Sequence, residues 1–210
     1  MKIAVIGSGV VGRTLATAFR RLGHDVVVGT RDPEVTGKRE EWAGLDLSLS
    51  PLAEAGTGAE VVVNATTGAA SLDALAPVDL DGKVLLDVSN PLDFSQGFPP
   101  SMTVKDTDSL AEQIQRAHPE ARVVKALNTV TAAVMVHPDS LPENSTMFLA
   151  GDDPLARETV RELLAELGWV DVVEFPALES ARGLEMWLPL WVRLMGVLGT
   201  ADFNIRLVRH

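Results

Sequence analysis

Along this chain, short unbroken apolar runs alternate with stretches whose apolar positions recur every three or four residues. Lys2–Ile6 is a β-branched run ending at Gly7, the pattern of a buried strand. The period then changes: Val11, Leu15, Ala18, Phe19 and Leu22 share one helical face over Val10–Leu22, and Gly23 is placed to end that helix. Asp25–Gly29 predicts a second strand, followed by a polar loop over Thr30–Glu40. Asp46–Leu49 is a candidate third strand, with Pro51 opening a short helix. Glu60–Ala65 is Val-rich and does not alternate, as a parallel strand covered on both faces should not. Lys83–Val88 and Arg122–Ala126 predict a fifth and a sixth strand, and between them Asp108 is placed to cap a helix over Ser109–Ala117. Thr146–Ala150 and Val170–Glu174 flank a helix from Pro154 to Leu167, capped by Asp152 or Asp153 and ended by Gly168. Leu178–Leu198 is a long helical pattern kinked at Pro189, and Asp202–Val208 reads as a last extended segment.

Strand and helix units in this alternation imply an α/β fold: a doubly wound, mostly parallel sheet extended by extra strands, with a short C-terminal helical segment. The expected division is a nucleotide-binding domain over 1–175 and a segment over 176–210 that completes a pocket or joins two subunits. Composition narrows the partners. The 210 residues are 46% hydrophobic and contain no cysteine, so a full core is available without disulfides, and thiol chemistry is excluded. A net charge of −11 disfavours nucleic acid and anionic membrane as partners. His24, His118, His137 and His210 are too scattered for a His-rich metal site. The most apolar late stretch, Met186–Val192 with Leu194–Gly199, is broken by Pro189 and Arg193 and falls short of the roughly 18 uninterrupted residues of a membrane span. The first residues lack the basic region of a signal peptide, so a cytoplasmic protein is expected.

The strongest chemical signal is Gly7-Ser8-Gly9-Val10-Val11-Gly12, a G-x-G-x-x-G directly between a strand and a helix. Gly7 permits the tight turn, Gly9 lets backbone approach a pyrophosphate, and Gly12 lets the helix pack closely on the strand. The helix start then offers free N–H groups and partial positive charge to the phosphates. This is the Rossmann fingerprint. Where an NAD protein places an acid to hold the ribose 2′-OH, this chain has Thr30 and Arg31. A hydroxyl and a guanidinium suit a 2′-phosphate and point to NADP(H). Lys38 and Arg39 are near enough in sequence to add charge, while Asp32 either reaches a 2′-OH or solvates the turn.

Ligands of open α/β sheets bind outside the carboxyl ends of the strands, and three such ends are polar here. The fourth strand ends in Asn64-Ala65-Thr66-Thr67-Gly68, the fifth in Ser89-Asn90-Pro91-Leu92, and the sixth in Lys125-Ala126-Leu127-Asn128-Thr129. Ala65, Thr66 and Thr67 leave room for a ribose and a nicotinamide, and Asn90 and Asn128 bring amides to the same crevice. Asn and Thr also serve as plain caps and turn formers, and Lys125 is either buried and catalytic or reaches out of its strand to solvent. No proton donor stands beside the nucleotide motif. Catalytic residues are therefore unassigned, and an enzyme whose second substrate is itself a hydride-accepting cofactor would need only to position the two and exclude water.

The sequence resembles the NADP oxidoreductase, coenzyme F420-dependent family. The resemblance runs through Ile3–Gly12, Gly23–Arg31, Ser89–Leu92, Lys125–Thr129, Ala150–Asp153 and Leu178–Glu185, in order along nearly the whole chain. It implies hydride exchange between NADPH and F420 or a related acceptor, and a homodimer built partly by the C-terminal segment. It also implies cofactor contact at Ser8, Val10 and Val11, and a 2′-phosphate at Thr30 and Arg31. The chain departs from the family at Val35, where members often have lysine. It departs again at Ala65–Gly68, where they have an apolar turn, and at Asp93-Phe94-Ser95 after Pro91 and Leu92; these changes border the second-substrate pocket. Two other readings remain open from the residues: an NADPH-dependent reductase of a small carbonyl or imine, and a non-catalytic module that senses NADPH. The apolar face of Trp187, Leu190, Trp191, Leu194 and Leu198 is either core or the dimer surface.

Overall fold

A computed structural model describes residues 1–209. Among the described residues ten strands are formed: β1 (Lys2–Ile6), β2 (Asp25–Thr30), β3 (Ser48–Pro51), β4 (Val61–Asn64), β5 (Val84–Asp87), β6 (Leu92–Asp93), β7 (Ser101–Met102), β8 (Arg122–Ala126), β9 (Thr146–Gly151) and β10 (Asp171–Phe175). Eight of them make one sheet in the order β10-β9-β8-β5-β4-β1-β2-β3. Every pairing in it is parallel except β8 with β9, which turns the two extra strands against the rest. The order reverses between β1 and β4, so a crevice opens outside their carboxyl ends.

Alternation along β1 explains the layers. Ile3 and Val5 face one core and Ala4 and Ile6 the other, all fully buried. The first core is closed by α1 (Val10–Arg21), α6 (Ala132–Val136) and α7 (Pro154–Glu166); it contains Leu15, Phe19, Val134, Val160 and Leu164. The second core lies under α3 (Leu52–Ala55), α4 (Ser71–Leu75) and α5 (Leu110–Ala117), and Leu178 and Ala181 of the C-terminal segment also belong to it. That segment is α8 (Ala181–Met186) followed by α9 (Leu188–Leu198). Pro189 sits in the first turn of α9, where its missing N–H costs nothing, so the expected kink is a break into two helices.

Several local expectations are corrected or narrowed. The loop after β2 contains a short helix, α2 (Pro33–Gly37), because the Asp32 carboxylate accepts the Val35 N–H at 2.9 Å and caps it. The α5 cap is Ser109, whose hydroxyl accepts the Glu112 N–H, while Asp108 pairs with Arg116. Asp153 caps α7; Asp152 instead accepts the Leu178 N–H at 2.8 Å and anchors the C-terminal segment. Asp202–Val208 forms no strand, although Ile205 O accepts the Thr146 N–H and Thr146 Oγ1 accepts the Leu207 N–H. The small β6–β7 hairpin was not predicted: a two-residue strand carries no periodicity to read.

Candidate active site

The turn after β1 shows three different uses of glycine. Gly7 has φ +119°, and a Cβ there would lie 2.6 Å from Ala65 O. A Cβ on Gly12 would come within 2.0 Å of Gly7 O, so only glycine lets α1 pack on the turn. A Cβ on Gly9 would meet no protein atom: its space opens toward the crevice. Gly9 is also the residue before α1, and no side chain caps that helix start. Its first N–H groups are therefore available to an anion.

A groove of about 360 Å³ runs from this turn, lined by Gly7, Ser8, Gly9, Thr30, Arg31 and Thr66 among others. Thr30 is 6% exposed and held by Thr36, with Oγ1 atoms 2.9 Å apart, while Arg31 is exposed. Arg31 is the one cation among the described residues that line the groove. Lys38 lies near Glu34 instead, and the carboxylate of Asp32 is engaged by its helix.

Ala65, Thr66 and Thr67 form the wall shared with a second pocket of about 480 Å³, which also takes in Val11, Ser89, Asn90 and Leu92. Asp93 and Phe94 of the hairpin complete its rim. The Ser95 N–H and hydroxyl hold the Asp93 carboxyl below the usual carboxylate range. Of the remaining residues singled out in the sequence, Gly12 packs the helix, and Val10 lines a separate cavity of about 690 Å³ between α1, α6 and the end of α7, which no strand end reaches. Pro91 is buried behind the pocket wall, and a Cβ on Gly68 would fall 2.1 Å from Asn90 O, so the two turns are in close contact. Asn128 is 2% exposed; its Nδ2 donates to Asn90 Oδ1 and to Leu184 O, and Asn90 Nδ2 donates to Asn128 O. Asn128 thus fixes Asn90, and with it the pocket wall, to α8.

Sequence reasoning missed a charged cluster beneath this wall. Lys125 does not reach solvent: it is 0% exposed, with Nζ 2.7 Å from Asp87 Oδ2 and 2.8 Å from Glu185 Oε1. Burial opposes the Lys125 charge, but the two carboxylates outweigh it and hold the ammonium above its ordinary value. Glu185 also accepts the Leu110 and Ala111 N–H groups at the start of α5. Asp87 and Lys125 are register partners on adjacent strands. An Asp and a Lys inside two apolar runs were the available signal, since opposite charges buried in neighbouring strands must pair.

Comparison with known proteins agrees with this geometry. The family profile "NADP oxidoreductase coenzyme F420-dependent" matches residues 2–91. The chain is 33% identical over 210 residues to the F420-dependent NADP reductase of Methanothermobacter thermautotrophicus, covering 92% of this chain and 89% of that one. It is 34% identical over 200 residues to the metalloreductase STEAP3 of Rattus norvegicus, of which it spans only 38%. A solved structure from Arthrobacter sp. FB24, provisionally described as an F420-dependent NADP reductase, is 48% identical, superposes with a TM-score of 0.96 and covers each chain fully.

Proposed function

This chain belongs to the coenzyme F420-dependent NADP oxidoreductase family, and we propose that it transfers a hydride between NADPH and F420 or a flavin-like acceptor. The observation that carries this reading is the juxtaposition of two spaces at the switch point of the sheet: the groove that holds Arg31 and the pocket bordered by Asn90 share the wall Ala65–Thr67. A dinucleotide laid across that wall places its 2′-phosphate at Thr30 and Arg31. Its pyrophosphate falls at Ser8, Gly9 and the start of α1. The nicotinamide enters the second pocket, where Leu92, Asn90 and the hairpin face the acceptor. Bound NADPH supplies the hydride; the chain's own residues orient it and exclude water. Pro91 and Asn128 act behind the wall, by holding Asn90 and Leu92.

The pocket chemistry supports an acceptor that takes a hydride without a proton from the protein. Asp93 is the one titratable side chain among its described lining residues, and it is held ionised by Ser95. Any balancing proton then comes from solvent. The C-terminal segment from 176 onward supports a homodimer: Leu190, Val197 and Leu198 are more than half exposed on α9, and Trp191 stacks on Phe203 with ring centroids 5.3 Å apart. Stopped-flow mixing of the protein with NADPH and F420 tests the reaction. Loss of the NADPH absorbance together with bleaching of F420 is expected; no change in either band at saturating concentrations would overturn the deazaflavin assignment.

A further inference from the structure

The buried cluster has a consequence at the pocket surface, which follows from counting protons. An ammonium has three donors and no acceptor. Those of Lys125 reach Asp87 Oδ2 at 2.7 Å, Ser89 O at 2.6 Å and Glu185 Oε1 at 2.8 Å. With its cation in place Asp87 is a carboxylate and only accepts, so its Oδ1 takes the Ser89 N–H, the Ser89 hydroxyl and one amide proton of Asn64 at 2.8 Å. That contact decides which way the Asn64 amide faces: Nδ2 toward Asp87, Oδ1 toward Thr66. The Thr66 hydroxyl lies 2.7 Å from Asn64 Oδ1, an atom with lone pairs only, and must donate to it. The second Asn64 amide proton is shared between Ser71 Oγ at 3.2 Å and Ser89 Oγ at 3.3 Å, and the Ser71 proton goes to Thr66 Oγ1 at 2.9 Å or to Thr67 O at 3.4 Å, so in either case Thr66 only accepts from Ser71. An ordinary threonine hydroxyl turns to suit its ligand. This one has its proton committed inward, on a residue that lines both the groove and the pocket, so all it has left to offer a ligand is a lone pair.

We propose that Thr66 is an acceptor-only specificity residue, its polarity set by the charged relay Lys125–Asp87–Asn64, and that it selects a hydrogen-bond donor on the nicotinamide riboside half of the cofactor. Thr66 lines both the groove and the pocket, so it stands where the dinucleotide passes from one to the other. A phosphate oxygen at that point meets lone pair against lone pair. A ribose hydroxyl or the carboxamide NH₂ is accepted. The inference rests on the cofactor placement given above.

Titrations of NADPH, its 3-acetylpyridine analogue (a methyl in place of the carboxamide NH₂) and adenosine 2′,5′-bisphosphate test it, on wild type, Thr66→Val and Thr66→Ser. Thr66→Val keeps the shape and removes the acceptor; it should weaken NADPH binding about tenfold, the scale of one unmatched hydrogen bond. Thr66→Ser should restore it to within about twofold, and the bisphosphate, which lacks the nicotinamide riboside, should bind all three alike. A further loss for the 3-acetylpyridine analogue in Thr66→Val identifies a ribose hydroxyl as the donor; no further loss identifies the carboxamide. Wild-type NADPH affinity in Thr66→Val, with the bisphosphate still bound, overturns the proposal alone. Failure of the bisphosphate to bind wild type overturns the cofactor placement as well.

Discussion

The two ends of the crevice are built by opposite means. At the phosphate turn, everything needed lies within six consecutive residues: backbone N–H groups, three glycines with three different clearances, and space. Beneath the end that Asn90 borders, Asn64, Asp87, Lys125 and Glu185 come from four separate elements and act through buried side chains. The turn works by leaving room. The cluster works by filling it with charge whose every partner must be present. A site of the first kind is broken by a single added atom. A site of the second kind ties binding geometry to folding.

Breaking the cluster should cost most. Lys125→Met leaves Asp87 and Glu185 buried without their cation and should lower stability by about 3–5 kcal/mol in urea unfolding. A loss indistinguishable from that of a surface change would mean that the carboxylates find other partners. The turn should respond the other way. Gly9→Ala adds a methyl that meets no protein atom but puts a poorer residue at the helix N-cap, so stability should fall by no more than about 1 kcal/mol, while NADPH affinity falls about tenfold or more as the methyl enters the pyrophosphate space. Equal effects on folding and binding would erase the contrast. The smallest effect concerns pH. Glu112 is pushed up by burial, but the Arg182 and Ser109 hydrogen bonds outweigh this and hold its carboxyl below the ordinary value. A depressed folded-state value contributes stability above the unfolded value of about 4.3, and this is lost as pH falls below it. The urea midpoint should therefore drop on acidification through that range, and less steeply in Arg182→Met.

The same contrast explains what was legible in the sequence. The turn, β1, β2 and the run Arg122–Ala126 could be read because each depends on neighbours in the chain: a glycine spacing, a β-branched run, a polar residue at a strand end. Arg31 could be placed at the groove for the same reason. The two charges inside apolar runs were visible, but their pairing was not, because β5 and β8 become neighbours only through the sheet order, and register alone sets Lys125 against Asp87. Asn128 shows the intermediate case. Its place at a strand end brought it to the site, but only tertiary packing shows that it holds Asn90 and Leu184 from behind. The caps of α5 and α7 turned on which of two adjacent polar residues, Asp108 or Ser109 and Asp152 or Asp153, stands directly before the helix, a choice that composition does not make.

In the proposed binding mode the crevice takes NADPH with Arg31 at the 2′-phosphate. Calorimetric titration of wild type and Arg31→Ala with NADPH and with NADH tests it most directly. A loss of about 1.5–3 kcal/mol is expected for NADPH, the scale of a charged hydrogen bond, and almost none for NADH. Equal losses for both cofactors would contradict it.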